Sequence, residues 1–491
     1  MHIRTLLLHA AVAVRVLALP AMTYFDGYES VDSAKYPVQI RLSYQGPTAM
    51  VVSWNTFKQL EHPTVYYGLE PYVLYDRASS DNSYTYPTAL TYINHVNLTN
   101  LLPDTTYYYL PAHSNATKPL SFRTAKPKGC NEPFKTAVVV DMGTFGPLGL
   151  STTVGKGAAN PLQPGEQTTI TSMAKDMDDY DFVVHPGDLG YADAWLKEEI
   201  GGYLPNTSRV DNPRVYEAIN NAFYDELEAV TAYKPYMVSP GNHESNCDNG
   251  GTKDKTINVT YTTSICPVGQ LNFTGYINRF RMPSPQSGGQ GNFWYSYDHG
   301  MAHFVHIDTE TDLGHGLIGP DEGSPEYSGP FGLLNQQISW LQNDLASVDR
   351  KKTPWVIVLG HRPFYNSAGD TCTNCTAAFE PLFHQYDVDL YFCGHSHVYC
   401  RNNPVYQNVS DPNGLNNPSS TWYIVNGAGG HYDGLDTLNY PLQSYTAYAQ
   451  DTAYSWSKLV FHNCTHLTQQ AIYSANNTVY DEATLIKNRI C

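Results

Sequence analysis

The sequence predicts an all-β sandwich at the amino terminus, followed by a larger α/β domain in which helices flank a layered β-sandwich. Short strand-like runs with regular turns fill residues 22–126. From residue 130 the pattern changes, and strand-like apolar runs alternate with helix-like segments as far as residue 415. We assign residues 416–491 to a carboxy-terminal region that completes the second domain.

The amino-terminal runs have the period of two that is typical of a half-buried strand. Val38, Ile40 and Leu42 alternate with polar residues. Three further runs follow at short spacing, which favours an antiparallel arrangement. These runs are Met50–Trp54, Val65–Tyr67 and Tyr107–Tyr109.

The composition is that of a folded, acidic protein. Of 491 residues, 42% are hydrophobic and only 15% are charged, and 39 are tyrosine. These proportions exclude wholesale disorder, which requires a charge-rich and aromatic-poor chain. The formal net charge of −17 argues against nucleic-acid and anionic-membrane partners, because both need basic surfaces. We therefore expect any anionic substrate to be bound by local cations.

Several features indicate export. Residues 1–18 contain a basic Arg4, an apolar stretch and a small residue, Ala18, so they resemble a secretory signal peptide. A buried helix is the alternative interpretation. No later apolar run is long enough to predict a membrane span. A secreted protein with N-linked glycans is also indicated by nine glycosylation sequons, at Asn97, Asn115, Asn206, Asn258, Asn272, Asn374, Asn408, Asn463 and Asn476.

The chain has nine cysteines, so at least one is unpaired. In an oxidising compartment the others should form disulfides. A lone Cys-x-x-Cys at Cys372 and Cys375 favours a local disulfide over a redox or zinc site, since no second such motif exists. Proximity along the chain predicts the pairs Cys247–Cys266, Cys393–Cys400 and Cys464–Cys491.

Five apolar runs in the second domain each lead into a polar, glycine-containing loop. Ligands in α/β domains bind beyond the carboxyl ends of strands, so these loops could converge on one edge. The helix-like segments between the runs are 166–179, 214–230, 335–350 and 376–386. The loops contain Asp141–Gly143, Gly187–Tyr191, Gly241–Glu244, Gly360–Pro363 and Gly394–His397.

The side chains of these loops are two carboxylates, one phenol, one amide and four imidazoles. Each loop alone is an ordinary turn, but five in this order predict a metal site. The donors are too many for one ion and suit two ions that share a bridging carboxylate, whereas the lack of thiolates argues against structural zinc. Two such ions can activate water and orient a phosphate ester. The residues are Asp141, Asp188, Tyr191, Asn242, His243, His361, His395 and His397.

In this order, Asp-x-Gly, Gly-Asp-x-x-Tyr, Gly-Asn-His-Glu, Val-x-x-His and Gly-His-x-His resemble the five signature blocks of purple acid phosphatases. Tyr191 separates this family from the wider calcineurin-like phosphoesterases. The whole chain resembles the large secreted form of the family, and in detail its filamentous-fungal members. The resemblance implies a fibronectin III- or immunoglobulin-like sandwich before a catalytic domain of the metallophosphoesterase type.

The resemblance also implies roles at a binuclear centre. Asp141, Tyr191 and His397 would bind Fe(III). Asp188 would bridge to a divalent ion, Zn, Fe or Mn, and His243 would contact the substrate phosphate and help protonate the leaving alcohol. The implied activity is hydrolysis of phosphate monoesters by direct attack of a metal-bound hydroxide. The ligands of the divalent ion would be Asn242, His361 and His395.

One stretch departs from the plant members of the family. Those proteins carry further substrate-contacting histidines about nine residues after the histidine of the Val-x-x-His block, which is His361 here. Residues 366–372 contain none. The proton for the leaving group could therefore come from His243, from Asp370 or from water. Arg362 is either a phosphate contact or a salt-bridged arginine.

Two other functions fit the sequence less well. A phosphodiesterase or nucleotide pyrophosphatase of the same superfamily is the first, although Tyr191 favours the monoesterase. A non-catalytic adhesion glycoprotein is the second, and the complete ligand set argues against it. No specificity pocket is evident, so the substrates could include inositol phosphates. The protein could be a monomer or a homodimer.

Overall fold

The computed structural model describes residues 32–129, 131–145, 148, 160–195, 199, 204, 212–247, 266–311, 335–430 and 434–489. The predicted signal peptide lies outside these residues. So do Asn206 and Asn258 among the sequons, and Cys130 and Cys491 among the cysteines.

Eight strands build the amino-terminal part as two antiparallel sheets of four, in the orders β1-β2-β6-β5 and β4-β3-β7-β8. Trp54, Val65 and Tyr109 are fully buried in one hydrophobic cluster that joins the two sheets. The predicted all-β sandwich is therefore confirmed. Its strands are β1 (Val38–Tyr44), β2 (Met50–Thr56), β3 (Thr64–Gly68), β4 (Asp76–Ser79), β5 (Ser83–Tyr84), β6 (Tyr92–Leu98), β7 (Thr106–Pro111) and β8 (Leu120–Arg123).

Strand β1 is buried on both faces, so the prediction of a half-buried strand was wrong. Its polar residues Gln39, Arg41 and Ser43 are at most 3% exposed. Arg41 Nη2 donates to the carbonyl of Arg279 (3.0 Å), and Ser43 Oγ donates to that of Arg281 (2.7 Å). The polar face of this strand is therefore the surface on which the second domain packs.

Within its described residues, the second domain contains two large mixed sheets and a small hairpin. One sheet has the order β11-β10-β9-β21-β22-β23, and the other has the order β12-β13-β14-β15-β19-β16-β20. Each sheet contains a parallel segment. In the first sheet it consists of β9, β10 and β11, and in the second of β13, β14, β15 and β19. The five polar loops follow strands of these two segments. The bounds are β9 (Phe134–Val138), β10 (Phe182–Pro186), β11 (Tyr236–Ser239), β12 (Tyr295–His299), β13 (Ala302–His306), β14 (Trp355–Leu359), β15 (Leu390–Cys393), β16 (Tyr399–Asn402), β17 (Val405–Tyr406), β18 (Val409–Ser410), β19 (Trp422–Asn426), β20 (Thr446–Gln450), β21 (Ser455–Phe461), β22 (His466–Tyr473) and β23 (Val479–Ile486).

The two large sheets pack face to face through aromatic side chains. Phe304 of β13 lies edge-on against Phe182 of β10 (ring centroids 5.3 Å apart) and Phe461 of β21 (5.7 Å). Edge-to-face contacts of this kind add to the stability gained from burying apolar area. This packing forms the layered β-sandwich that the sequence predicted.

Four helices lie close to the predicted segments, whereas the short helices Thr274–Arg279 and Ser284–Ser287 were not predicted. Thr168 caps the first of them, since its side chain accepts a hydrogen bond from the backbone N–H of Thr171. None of the helices in the described residues has the length and apolar character needed to cross a bilayer. The helices with described bounds are α1 (Thr169–Lys175), α2 (Asn212–Thr231), α3 (Thr274–Arg279), α4 (Ser284–Ser287), α5 (Gln336–Ser347) and α6 (Thr373–Gln385).

Two predicted disulfides are present, Cys247–Cys266 and Cys372–Cys375. The second closes the first turn of α6, which begins earlier than the predicted segment. Cys464 is also disulfide-bonded. Its predicted partner Cys491 lies outside the described residues, so that pairing stays a prediction.

The predicted Cys393–Cys400 disulfide was wrong, because both cysteines are free and buried. Strand β19 lies between their strands β15 and β16, and both residues pair with Val425 from opposite sides. Two strand spacings separate their backbones by roughly 9–10 Å. That separation is too large for a disulfide. Proximity along the chain is misleading here because the sheet order is not sequential.

A buried polar cluster joins the two domains. Glu217 of α2 is fully buried and accepts hydrogen bonds from Tyr86 Oη (2.6 Å) and Thr88 Oγ1 (2.8 Å) of the amino-terminal part. Its carboxylate also pairs with Arg279 (3.4 Å), which donates to Gln39 Oε1 (3.1 Å). A buried charge is costly unless it is paired, so this cluster specifies how the domains dock.

We expect Glu217→Ala to destabilise the protein by about 3–5 kcal/mol, because it leaves the Arg279 guanidinium buried without its counter-charge. Urea unfolding followed by tryptophan fluorescence measures this change. Glu61→Ala, at a side chain that is 92% exposed, is the control and should change stability by less than about 0.5 kcal/mol. Equal stabilities of the two variants would contradict a role for the cluster in docking.

Candidate metal centre

The five polar loops meet at one edge of the sandwich. Each follows a strand of the two large sheets: β9, β10 and β11 in one, and β14 and β15 in the other. Their ends lie side by side because the strands within each sheet are parallel and in register. The tertiary structure therefore brings all eight predicted side chains together.

The backbone turns sharply where these side chains project. Asp141, Asp188, Tyr191 and His395 have φ angles between 51° and 67°, in the left-handed region. Non-glycine residues in this region cost about 1–3 kcal/mol each. The surrounding contacts must therefore hold these four conformations in place.

Glycines in the loops allow the close approach of the carboxylates. A Cβ atom on Gly241 would lie 2.2 Å from Asp188 Oδ1, and one on Gly394 would lie 2.1 Å from Asp141 Oδ2. Both distances are far inside van der Waals contact. Any larger residue at either position would displace a carboxylate that the sequence predicts to bind metal.

One group of side chains surrounds the phenol of Tyr191. Its Oη lies 2.7 Å from Asp141 Oδ1 and 3.1 Å from His397 Nε2. Asp141 Oδ2 accepts a hydrogen bond from the backbone N–H of His395 (2.8 Å), which leaves Oδ1 directed at the phenol. The residues of this group are the predicted ligands of the ferric ion.

A second group surrounds the imidazole of His361. Its Nε2 lies 3.2 Å from Asn242 Oδ1 and 3.2 Å from His395 Nδ1. The candidate donor atoms of Asp188, His361 and His395 all lie within 4.8 Å of one another, close enough to hold one metal ion. The residues of this group are the predicted ligands of the divalent ion.

Asp188 belongs to both groups. Its Oδ2 lies 3.0 Å from Tyr191 Oη and 3.0 Å from His361 Nε2. Its Oδ1 accepts a hydrogen bond from the backbone N–H of His243 (3.0 Å). One oxygen is thus placed between the two groups, as a bridging carboxylate requires.

The charges of the cluster fit bound cations. Burial, together with Asp141 and Asp188, raises the pKa of Tyr191 well above its usual value. Burial also opposes ionisation of Asp188, but the His361 and His243 imidazoles outweigh it and hold the pKa of that carboxyl well below its usual value. Ionised phenol and carboxylate oxygens at this depth need a compensating cation. Phenolate and carboxylate suit a hard trivalent ion, and amide and imidazole suit a divalent one.

His243 lies beside the cluster with one nitrogen directed towards it. Nδ1 lies 2.6 Å from Asp193 Oδ2, and Nε2 lies 3.7 Å from Asp188 Oδ2. Burial lowers the pKa of His243, but the Asp193 and Asp188 carboxylates outweigh burial and raise it to about 10. The side chain is 13% exposed. It can therefore present a proton on Nε2 to a group that enters the site.

Two acidic residues that hold the site were missed by the sequence analysis. Asp193 pairs with His243, as described above. The Glu244 carboxylate accepts hydrogen bonds from the backbone N–H groups of Asp188 (2.9 Å), Leu189 (2.8 Å) and Gly241 (2.8 Å). Both residues lie within or next to the predicted loops, but only the tertiary structure reveals what their carboxylates contact.

Arg362 is a salt-bridged arginine, the second of the two roles considered for it. Its Nε donates to both Glu310 oxygens (3.0 and 2.9 Å), and its Nη2 lies 2.8 Å from Oε2. The residue is only 2% exposed. Its Nη1 lies 3.1 Å from His395 Nε2, at the edge of the cluster.

The chain matches three family descriptions in succession. Residues 37–124 match "Purple acid Phosphatase, N-terminal domain", and residues 138–399 match "Calcineurin-like phosphoesterase". Residues 420–482 match "Iron/zinc purple acid phosphatase-like protein C". Together these matches cover both parts of the fold and all five loops of the cluster.

The chain is also similar to individual acid phosphatases. Acid phosphatase A of Cryphonectria parasitica is 38% identical, and the match covers 96% of each chain. An acid phosphatase of Aspergillus ficuum is 33% identical over 91% of this chain and 86% of its own. A purple acid phosphatase from yellow lupin (Lupinus luteus) seeds shares the fold, with a TM-score of 0.66 at 22% identity over 92% of this chain and 75% of the lupin chain. The chain thus belongs to the purple acid phosphatase family and is a phosphatase.

Proposed function

We propose that this phosphatase is a secreted enzyme that hydrolyses phosphate monoesters at a binuclear Fe(III)–M(II) centre. The observation that carries the proposal is the single Asp188 oxygen that lies 3.0 Å from a donor atom of each ligand group. Asp188 would bridge the two ions. Asp141, Tyr191 and His397 would hold the ferric ion, and Asn242, His361 and His395 would hold a divalent Zn, Fe or Mn ion.

The bound ions would supply the chemistry of the reaction, because two such ions lower the pKa of a water molecule and neutralise charge that develops on the phosphate. They would also allow an acidic protein to bind an anionic substrate, since the local cations outweigh the net charge of −17. The side chains of the site orient the ester against the buried cluster. His243 then donates a hydrogen bond from Nε2 to a phosphate oxygen or to the leaving oxygen.

His243 is better placed than Asp370 to protonate the leaving group. The Asp370 carboxylate is engaged with His395, since its Oδ2 lies 3.1 Å from Nε2 of that imidazole. The Nδ1 atom of His243 is held by Asp193, which leaves Nε2 directed at the cluster. This geometry supports His243 as the general acid.

Export with N-linked glycans forms part of the proposal. Seven of the nine sequon asparagines fall within the described residues, and all seven are exposed. Glycan attachment requires such exposure. The exposed asparagines are Asn97, Asn115, Asn272, Asn374, Asn408, Asn463 and Asn476.

We expect the protein in the culture medium to begin after Ala18 and to lose mass on treatment with peptide N-glycosidase, because each released glycan leaves an aspartate in place of asparagine. Amino-terminal sequencing and peptide mass spectrometry measure both properties. Asn82, an exposed asparagine outside any sequon, is the internal control and should remain unconverted. Retention of the protein in the cell without conversion at any sequon would contradict export.

The purified enzyme should hold two metal ions per chain, at least one of them iron, and show a visible charge-transfer band from the Tyr191 phenolate to Fe(III). Tyr191→Phe should abolish the band, because phenylalanine lacks the oxygen. Tyr109→Phe is the matched control, since this tyrosine is buried among the amino-terminal strands and donates to the carbonyl of Ala232. Absorption spectra and metal analysis of the same samples test the proposal.

Two results would contradict this assignment. A colourless wild-type enzyme with two divalent ions would mean that Tyr191 does not bind ferric iron. A wild-type enzyme that hydrolyses a phosphodiester faster than the matching monoester would favour the diesterase function instead.

His243→Asn should lower kcat about 10²- to 10⁴-fold, the usual contribution of a general acid, while the metal content stays at the wild-type value. Steady-state kinetics on an aryl phosphate with metal analysis measure both quantities. His62→Asn, at a histidine whose side chain is 65% exposed, is the control and should leave kcat unchanged. A His243→Asn enzyme with wild-type kcat would rule out this residue as the proton donor.

A further inference from the structure

The Asp370 carboxylate contacts His395, a predicted metal ligand, at the imidazole nitrogen that faces away from the cluster. Its Oδ2 lies 3.1 Å from His395 Nε2, whereas Nδ1 of the same ring lies 3.2 Å from His361 Nε2 inside the cluster. A nitrogen that binds a metal must offer its lone pair, so the proton of a neutral imidazole is then on the other nitrogen. With Nδ1 directed inward, Nε2 carries the hydrogen. Two groups lie 3.1 Å from Nε2, Asp370 Oδ2 and Arg362 Nη1, and only the carboxylate can accept this hydrogen because a guanidinium is a donor only.

The segment that carries Asp370 is itself held in place. Asn366, only 2% exposed, donates from Nδ2 to the carbonyl of Asp370 (3.2 Å) and to Ser396 Oγ (2.6 Å). The backbone N–H of Cys372 donates to the carbonyl of Pro363 (2.8 Å). These bonds join the segment to Ser396, the residue that follows His395, so carboxylate and imidazole keep a constant relative position.

We propose that Asp370 is a positioning residue that orients the His395 imidazole so that Nδ1 binds the divalent ion. A carboxylate that accepts the free N–H of a metal-binding histidine selects its tautomer and increases its basicity. This inference rests on the proposed binuclear centre. It also gives Asp370 a different role from the general acid considered from the sequence.

Asp370 lies near the surface, so removing its carboxylate should affect the metal site more than the stability of the fold. Its side chain is 44% exposed, and an ion pair that exposed contributes little to stability. Asp370 lies 3.1 Å from His395, a predicted ligand of the divalent ion. Its removal should therefore affect the divalent ion selectively.

The test compares metal release from the purified holoenzymes of wild type, Asp370→Ala and Asp370→Asn during dialysis against a divalent-metal chelator. Metal analysis follows both ions, and the visible spectrum follows the ferric site. Asp370→Ala should lose the divalent ion about 10-fold faster or more, with the ferric ion and the colour retained. Asp370→Asn should stay close to wild type, because the amide oxygen still accepts the Nε2 hydrogen.

Asp81→Ala is the matched control, because it removes an exposed carboxylate that lies 2.9 Å from His62 Nδ1, far along the chain from the cluster. It should release metal at the wild-type rate. The proposal is overturned if Asp370→Ala retains the divalent ion as wild type does, if it loses both ions together, or if Asp370→Asn releases the divalent ion as fast as Asp370→Ala. A wild-type enzyme without two metal ions would contradict the binuclear centre itself, which is a separate result. If Asp370→Ala does not fold, Asp370→Leu replaces it in the comparison with Asp370→Asn, because leucine is similar in size to aspartate and has no hydrogen-bond acceptor.

Discussion

The site depends on the burial of the Asp188 carboxylate between two groups of side chains. A fully buried carboxylate is costly unless hydrogen bonds and opposite charges surround it. Asp188 has both, since backbone N–H of His243 donates to Oδ1 and His361 lies against Oδ2. Glu244 holds the backbone on both sides of this contact. The left-handed conformation of Asp188 persists because these contacts fix it.

The two-sheet architecture supplies the loops that surround this carboxylate. Three come from one sheet and two from the other, so neither sheet alone contains the cluster. Aromatic packing between the sheets, centred on Phe304 and Phe182, holds the loops at a constant separation. Metal ligation tolerates little variation in donor position, and a rigid sandwich supports such a site better than mobile loops do.

Three carboxylates outside the predicted ligand set contact basic side chains at the site. Asp193 pairs with His243, Glu310 pairs with Arg362, and Asp370 lies against His395. Each carboxylate acts on a neighbouring basic group. Two of the three contacts place a carboxylate against an imidazole, an arrangement that would orient the rings around a positively charged centre.

The sequence by itself determined the strands that precede the polar loops and the types of donor atom that those loops contain. Strand periodicity and glycine-containing loops depend on neighbouring residues, so the strands before Asp141, Asp188 and His361 could be predicted from local pattern. The donor types in those loops also pointed to two metal ions, because the preference of a metal for oxygen or nitrogen is a property of the side chain alone.

Only the tertiary structure decided which distant residues meet. The insertion of β19 between β15 and β16 separates Cys393 from Cys400, and docking of the second domain buries the polar face of β1. The contacts that Glu244 and Asp370 make with distant residues could not be predicted from the sequence either. Strand order and domain docking arise from long-range packing, which leaves no periodic signal in the sequence around the residues that it brings together.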